Sequence, residues 1–131
     1  IITPRSMVEK SLRQSVSNAA VVTPTEVDEY WELLRHPGNR EATGKRFALY
    51  SSRNTQTAVS DATRKVTALI LWGDEDKLIP VSSAKWFRST YTGNVTHIYK
   101  GIGHMPMEES ADKSAEDVGN WLKVRTSAPA D

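Results

Sequence analysis

No cysteine occurs among the 131 residues, so disulfides and a thiol nucleophile are both excluded. Long apolar runs are also lacking. The longest, Ala68-Leu69-Ile70-Leu71-Trp72, is far shorter than the ~20 residues a bilayer-spanning helix needs. Charge imbalance is absent as well: 17 Lys and Arg face 16 Asp and Glu, for a net charge of +1. The basic residues are scattered, whereas a nucleic-acid surface would cluster them. Neither a membrane nor a nucleic acid is therefore expected as a partner. Histidine is scarce, and the three present (His36, His97, His104) show no metal-ligand spacing. No glycine-rich loop joins a strand to a helix as a phosphate cradle would. The opening Ile1-Ile2-Thr3-Pro4-Arg5 lacks Met and the layout of a signal peptide, and reads as if cut from something longer.

What is present suits a folded domain: 38% hydrophobic and 25% charged residues allow a buried core. Val8, Leu12 and Val16 recur at i, i+4, i+8 and predict a helix over about 4–16. Thr23-Pro24-Thr25-Glu26 is a capping box with Pro at the first helical position. Val27, Tyr30, Trp31 and Leu34 then form one apolar face, and His36-Pro37-Gly38 stops the helix. A weaker helix is predicted over about 39–50. Polar residues 51–61 read as a connection, with a short helical turn before Arg64.

The second half changes character. Val66 to Trp72 is nearly all apolar and ends at Gly73, which predicts a strand buried on both faces of a parallel sheet. A helix is predicted from about Ser82 to Tyr91, with Ala84, Phe87 and Tyr91 inward. Val95 to Tyr99 predicts a second strand. The last helix, about Ser110 to Val124, would turn Ala111, Ala115, Val118 and Leu122 inward. Strand–helix–strand–helix is the βαβα unit of a doubly wound sheet, whose functional loops lie at the carboxyl ends of the strands.

Two such loops carry chemistry. In Gly73-Asp74-Glu75-Asp76-Lys77-Leu78-Ile79-Pro80, a glycine lets the chain turn as it leaves the sheet. Asp76 can then accept a hydrogen bond from an imidazole on the neighbouring loop. Asp74 and Glu75 read as solvated loop residues. In Gly101-Ile102-Gly103-His104-Met105-Pro106, glycines free the backbone before His104 and a proline holds it after. Free imidazole titrates near neutrality, so such a histidine can take and return a proton. The 28 residues between Asp76 and His104 leave room for one helix and one strand, and adjacent parallel strands would bring the loops together. This is the orienting acid and general base of a triad.

Gly73-x-x-Asp76-x-x-x-Pro80, followed by Gly103-His104-x-Pro106-x-x-Glu109 and a final helix, resembles the last two strands of the α/β-hydrolase family. Residues 22–30 and Pro37-Gly38-Asn39-Arg40 resemble cap helices of bacterial members related to epoxide hydrolases, dehalogenases and esterases. The resemblance implies an α/β fold: the C-terminal part of a doubly wound parallel sheet preceded by a helical cap. Residues 1–60 would be the cap, 61–125 the βαβα core and 126–131 a tail. It implies catalytic roles for Asp76 and His104, no cofactor, a small-molecule substrate and a cytoplasmic location. It also leaves a structural role for Glu109, as a cap of the last helix or a brace of the His104 loop.

One departure is decisive. The family's nucleophile sits in a Gly-x-Ser-x-Gly or Gly-x-Asp-x-Gly elbow, and neither pattern occurs here. Ser51, Ser52, Ser82 and Ser83 lie outside any strand–turn–helix elbow. The expectation is therefore the C-terminal fragment of a cofactor-independent hydrolase of esters, epoxides or carbon–halogen bonds, inactive on its own. The alternative is a non-catalytic truncated domain that binds a partner or self-associates through an exposed strand edge. Among the remaining residues, His36, Trp31, Phe47, Trp86 and Trp121 read as packing or helix-end residues, and His97 as packed or on one strand face. Tyr30 reads first as cap core; the resemblance to epoxide hydrolases also offers Tyr30 or Tyr50 as a proton donor to an epoxide oxygen, although nothing in their spacing singles them out.

Overall fold

The computed structural model describes residues 3–52 and 61–126. The chain divides into two compact units. One holds the first helix up to Arg13 together with the next two helices. The other holds Gln14–Val21 and everything from Asp61 to Thr126. The division is not a single cut near residue 60, because Gln14–Val21 is bonded into the second unit through Ser15 and Ser17.

In the first unit, α1 (Arg5–Ser15), α2 (Pro24–Arg35) and α3 (Asn39–Ser52) form close to the predicted bounds. The α1 stripe is inward at Leu12, and Val27 of α2 is fully buried. The capping box of α2 forms on both sides: Thr23 Oγ1 accepts from Glu26 N at 3.2 Å, and Glu26 Oε2 from Thr23 N at 2.6 Å. Gly38 has φ 86°, the left-handed conformation that lets the chain leave α2 and enter α3. Arg35 lies over the Trp31 ring at 4.3 Å, and Trp31 Nε1 donates to Thr3 O. Within this unit Tyr30 lines an open apolar cleft of about 780 Å³ with Met7, Leu34 and Phe47. The side chain of Tyr50 and the connection 53–60 lie outside the described residues, as does the tail beyond Thr126.

The second unit is built on two parallel strands, β1 (Leu69–Gly73) and β2 (Val95–Tyr99). Their register pairs Leu69 with Val95 and Gly73 with Tyr99. A short helix α4 (Asp61–Arg64) precedes β1, and α5 (Ser82–Thr90) connects the strands. After β2 come α6 (Pro106–Glu109), with Pro106 at its start, and α7 (Ala111–Thr126). An aromatic row anchors α5 to β1: Trp72 to Phe87 at 5.7 Å, then Phe87 to Tyr91 at 6.2 Å.

Four expectations are corrected here. The strand begins at Leu69 rather than Val66, which is exposed and closes a turn onto Thr63 O. Nor is β1 buried on both faces: only Ile70 and Gly73 are buried, because among the described residues the sheet has just two strands. The third concerns α7. Its apolar stripe faces away, with Val118 38% and Leu122 48% exposed, while Ser114 and Asp117 are each only 6% exposed. The buried polar groups have partners, which makes their burial tolerable. Tyr99 Oη donates to Asp117 Oδ2 at 2.7 Å, Lys113 pairs with Asp117, and Ser114 Oγ donates to Ala111 O. Burial, and then the Asp117 carboxylate, push the Tyr99 hydroxyl well above its ordinary value. Trp86, read as a packing residue, is also about half exposed, although its ring meets Phe87 edge-on.

Candidate active site

Asp76 and His104 lie in the loops that leave the carboxyl ends of β1 and β2. Parallel pairing puts both ends on one side of the sheet, and the Gly73–Tyr99 register makes them level. Two backbone bonds continue the pairing past the strands: Asp74 N donates to Tyr99 O at 3.0 Å and Glu75 N to Ile102 O at 2.9 Å. The structure brings the two side chains together, with His104 Nδ1 and Asp76 Oδ2 separated by 2.8 Å.

The rest of Asp76 is also engaged. Its Oδ1 accepts from Leu78 N at 2.8 Å and Ile79 N at 2.9 Å, which fixes the carboxylate plane. Only 4% of its side chain is accessible, against 37% for His104. Burial by itself would raise the Asp76 carboxyl. The bonds from Ile79 N, His104 and Leu78 N together outweigh it and hold the group below the usual carboxylate range. An ionised carboxylate only accepts, so the proton between the two groups sits on His104 Nδ1. In the neutral ring the lone pair is then on Nε2, the nitrogen left to take a proton from a reacting group.

Glycines hold this geometry, and one does so differently from the sequence reading. Gly73 ends β1 without a positive φ, and the turn falls on Asp74 and Glu75 after it. Gly73 is needed for closeness: a Cβ there would lie 2.1 Å from the carbonyl oxygens of both Ile102 and Gly103. Gly103 is similarly confined, since a Cβ there would lie 2.6 Å from Ser17 N. Gly101, at φ 72°, is the residue that turns the His104 loop.

Asp74 is not a merely solvated residue, since its Oδ1 accepts from Gly101 N at 2.6 Å. Glu109, for which a helix cap or a brace of the His104 loop was expected, accepts from Gly103 N at 2.7 Å and from Ser17 N at 2.8 Å. The role of Ser17 had no signal in the sequence, because its partners lie 84 and 92 residues away. His36 ends α2 through its backbone, its N–H directed to Glu32 O and Leu33 O. His97 sits within β2, half buried. Among the described residues no group of three or more His, Asp or Glu side chains is placed to hold a metal ion. None of the described helices is long and apolar enough to cross a membrane.

No protein-family model matches the sequence, and no curated protein matches it either. Solved structures do match. A serine hydrolase involved in carbazole degradation superposes with a TM-score of 0.78 at 17% identity, over 92% of this chain and 48% of that one. A meta-cleavage product hydrolase from Pseudomonas fluorescens IP01 gives 0.70 at 20% identity, over 95% and 47%. An esterase from Exiguobacterium antarcticum gives 0.63 at 16% identity, over 91% and 42%.

The fold is that of the α/β-hydrolases.

The chain spans about half the length of these α/β-hydrolase structures, the share that a C-terminal portion of the fold would occupy. Within that fold the level, parallel strand ends place the Asp76–His104 pair on one rim.

Proposed function

We propose that this chain supplies the acid and general base of a cofactor-independent α/β-fold hydrolase whose nucleophile lies in a part of the protein outside these residues. The observation that carries the reading is the 2.8 Å contact from His104 Nδ1 to a buried, charge-stabilised Asp76. Resemblance to solved hydrolases and an esterase supports the reaction class. In the intact enzyme a Ser or Asp would attack an ester, epoxide or carbon–halogen centre and form a covalent intermediate, as the ester's alcohol leaves, the epoxide C–O bond opens or halide departs. Water would then attack that intermediate while its proton passes to His104 Nε2. The proton goes on to the departing oxygen, and Asp76 steadies the imidazolium meanwhile. A Ser nucleophile would also give its proton to His104, whereas an Asp nucleophile is already ionised. The same reading places the enzyme in the cytoplasm, which fractionation of the source cells tests.

The decisive experiment starts with the coding sequence upstream of Ile1. A Gly-x-Ser-x-Gly or Gly-x-Asp-x-Gly elbow is expected there. The full-length protein should hydrolyse a model ester, epoxide or haloalkane, and His104→Ala should lower kcat by roughly 10³-fold or more. An active full-length enzyme indifferent to His104→Ala would remove the proposal. The 131-residue chain alone is expected to be inactive on all three substrates.

A second reading has its own observation. Val95, Ile98, Val118 and Leu122 of the second unit are substantially exposed, and among the described residues β1 pairs only with β2. Such a surface suits a non-catalytic domain that self-associates through the free strand edge. Sedimentation velocity across a concentration series separates the readings: self-association gives a rising weight-average mass, and a sharply melting monomer at all concentrations removes it.

A further inference from the structure

We infer that Glu109 is a positioning residue: its carboxylate fixes the Gly101–His104 loop and so keeps His104 in line with Asp76. The inference rests on the proposed reading of the Asp76–His104 pair and deepens it.

Each residue of that loop is tied by a bond outside it. Gly101 N donates to Asp74 Oδ1 at 2.6 Å, and Ile102 O accepts from Glu75 N at 2.9 Å. Gly103 N donates to Glu109 Oε1 at 2.7 Å, and His104 N to Ser15 O at 2.8 Å. The first two bonds anchor the loop to the end of β1. The fourth anchors it directly to Gln14–Val21, and the third ties it to Glu109, whose carboxylate also bonds that segment. Its Oε2 accepts from Ser17 N at 2.8 Å and from Asn18 N at 3.3 Å. Ser17 Oγ lies 2.6 Å from both Glu109 Oε2 and Gly101 O, with one proton to share between them. Glu109 therefore joins the peptide just before His104 to the segment whose carbonyl receives the His104 amide.

The chemistry demands a carboxylate. Three backbone N–H groups converge on its two oxygens, and a carboxylate presents acceptors only. A glutamine would turn an NH₂ towards either Gly103 N–H or the Ser17 and Asn18 N–H groups, donor against donor. Space is equally tight, since a Cβ on Gly103 would come within 2.7 Å of Glu109 Oε1. The loop cannot slide to repair a missing acceptor without disturbing the His104 backbone.

Proton and nitrogen NMR of the His104 imidazole in the 131-residue chain tests this without any substrate. The wild type is expected to show the Nδ1–H tautomer and a downfield, exchange-protected proton shared with Asp76. Glu109→Gln and Glu109→Ala should lower the ratio of Nδ1–H to Nε2–H by about tenfold, the equivalent of one net hydrogen bond. Ser17→Ala, a milder change, should shift the ratio in the same direction by less. Glu116→Gln on exposed α7 should leave it unchanged. Folded Glu109 variants that keep the wild-type tautomer and proton overturn the inference. So does a Ser17→Ala chain that keeps both should the Glu109 variants fail to fold. A wild-type chain without the Nδ1–H proton overturns the reading of the pair itself, a distinct result.

Discussion

Gly73→Ala tests the geometry most directly. The added Cβ would lie 2.1 Å from two backbone oxygens, those of Ile102 and Gly103, and 2.6 Å from the Ile102 carbonyl carbon. These atoms are backbone and have no rotamer by which to withdraw. Folded proteins essentially never hold a Cβ closer than 3.0 Å to such atoms, so the end of β1 and the His104 loop must part by about 0.9 Å. Overpacking of this kind costs roughly 1–3 kcal/mol. The same displacement stretches the Glu75 N to Ile102 O bond beyond hydrogen-bonding range, at about 1 kcal/mol more. A loss of about 2–4 kcal/mol is a large part of the ~5–15 kcal/mol available to a small domain. At roughly 4–8 °C per kcal/mol, the melting midpoint of the second unit should fall by at least about 8 °C. Thermal and urea unfolding followed by circular dichroism measure this, and imidazole NMR reports whether His104 still meets Asp76. Gly119→Ala on α7 is the matched control. A Cβ there meets nothing within 4 Å, so the change should stabilise by about 1 kcal/mol through helix propensity. If Gly73→Ala melts with the wild type and keeps the His104–Asp76 bond, the close approach of the two loops is wrong.

Further outcomes are expected elsewhere. Asp76 has a lowered folded-state pKa, so it contributes stability that is present above the unfolded value of about 3.9 and lost as pH falls through the folded value. Asp76→Asn should therefore destabilise at neutral pH, with the difference from wild type shrinking in strong acid; a pH-independent difference in urea midpoints would contradict the assignment. Thr23→Ala removes the acceptor of the α2 capping box and should cost about 1 kcal/mol, read as loss of helical signal in the first unit. Tyr99→Phe deletes the donor to Asp117 but leaves Lys113 paired with it, so a loss of about 1 kcal/mol in urea unfolding is expected.

Much of this was legible in order along the chain. The α1 stripe, the α2 capping box, the stop at Gly38 and the second strand are local patterns, and each formed where the residues imply. The Asp76–His104 pairing was legible for a related reason: two loops after consecutive strands can meet only if the strands are adjacent and parallel, and they are. No nucleophile was legible, because no elbow motif occurs in these residues.

The sequence by itself determined which segments are helix or strand, and that an acid and a histidine follow the two strands, because those features depend on residues within a few positions of one another. Only the tertiary structure decided that α7 turns Ser114 and Asp117 inward rather than Val118 and Leu122. A helix wheel records a face, but not what that face will meet, and here Tyr99 offered Asp117 a partner. Packing likewise decided that Gly73 serves closeness rather than a turn, that Asp74 ties down Gly101, and that Ser17 and Glu109 share a bond across 92 residues. Such contacts depend on how finished elements stack, and no short window of residues contains that information.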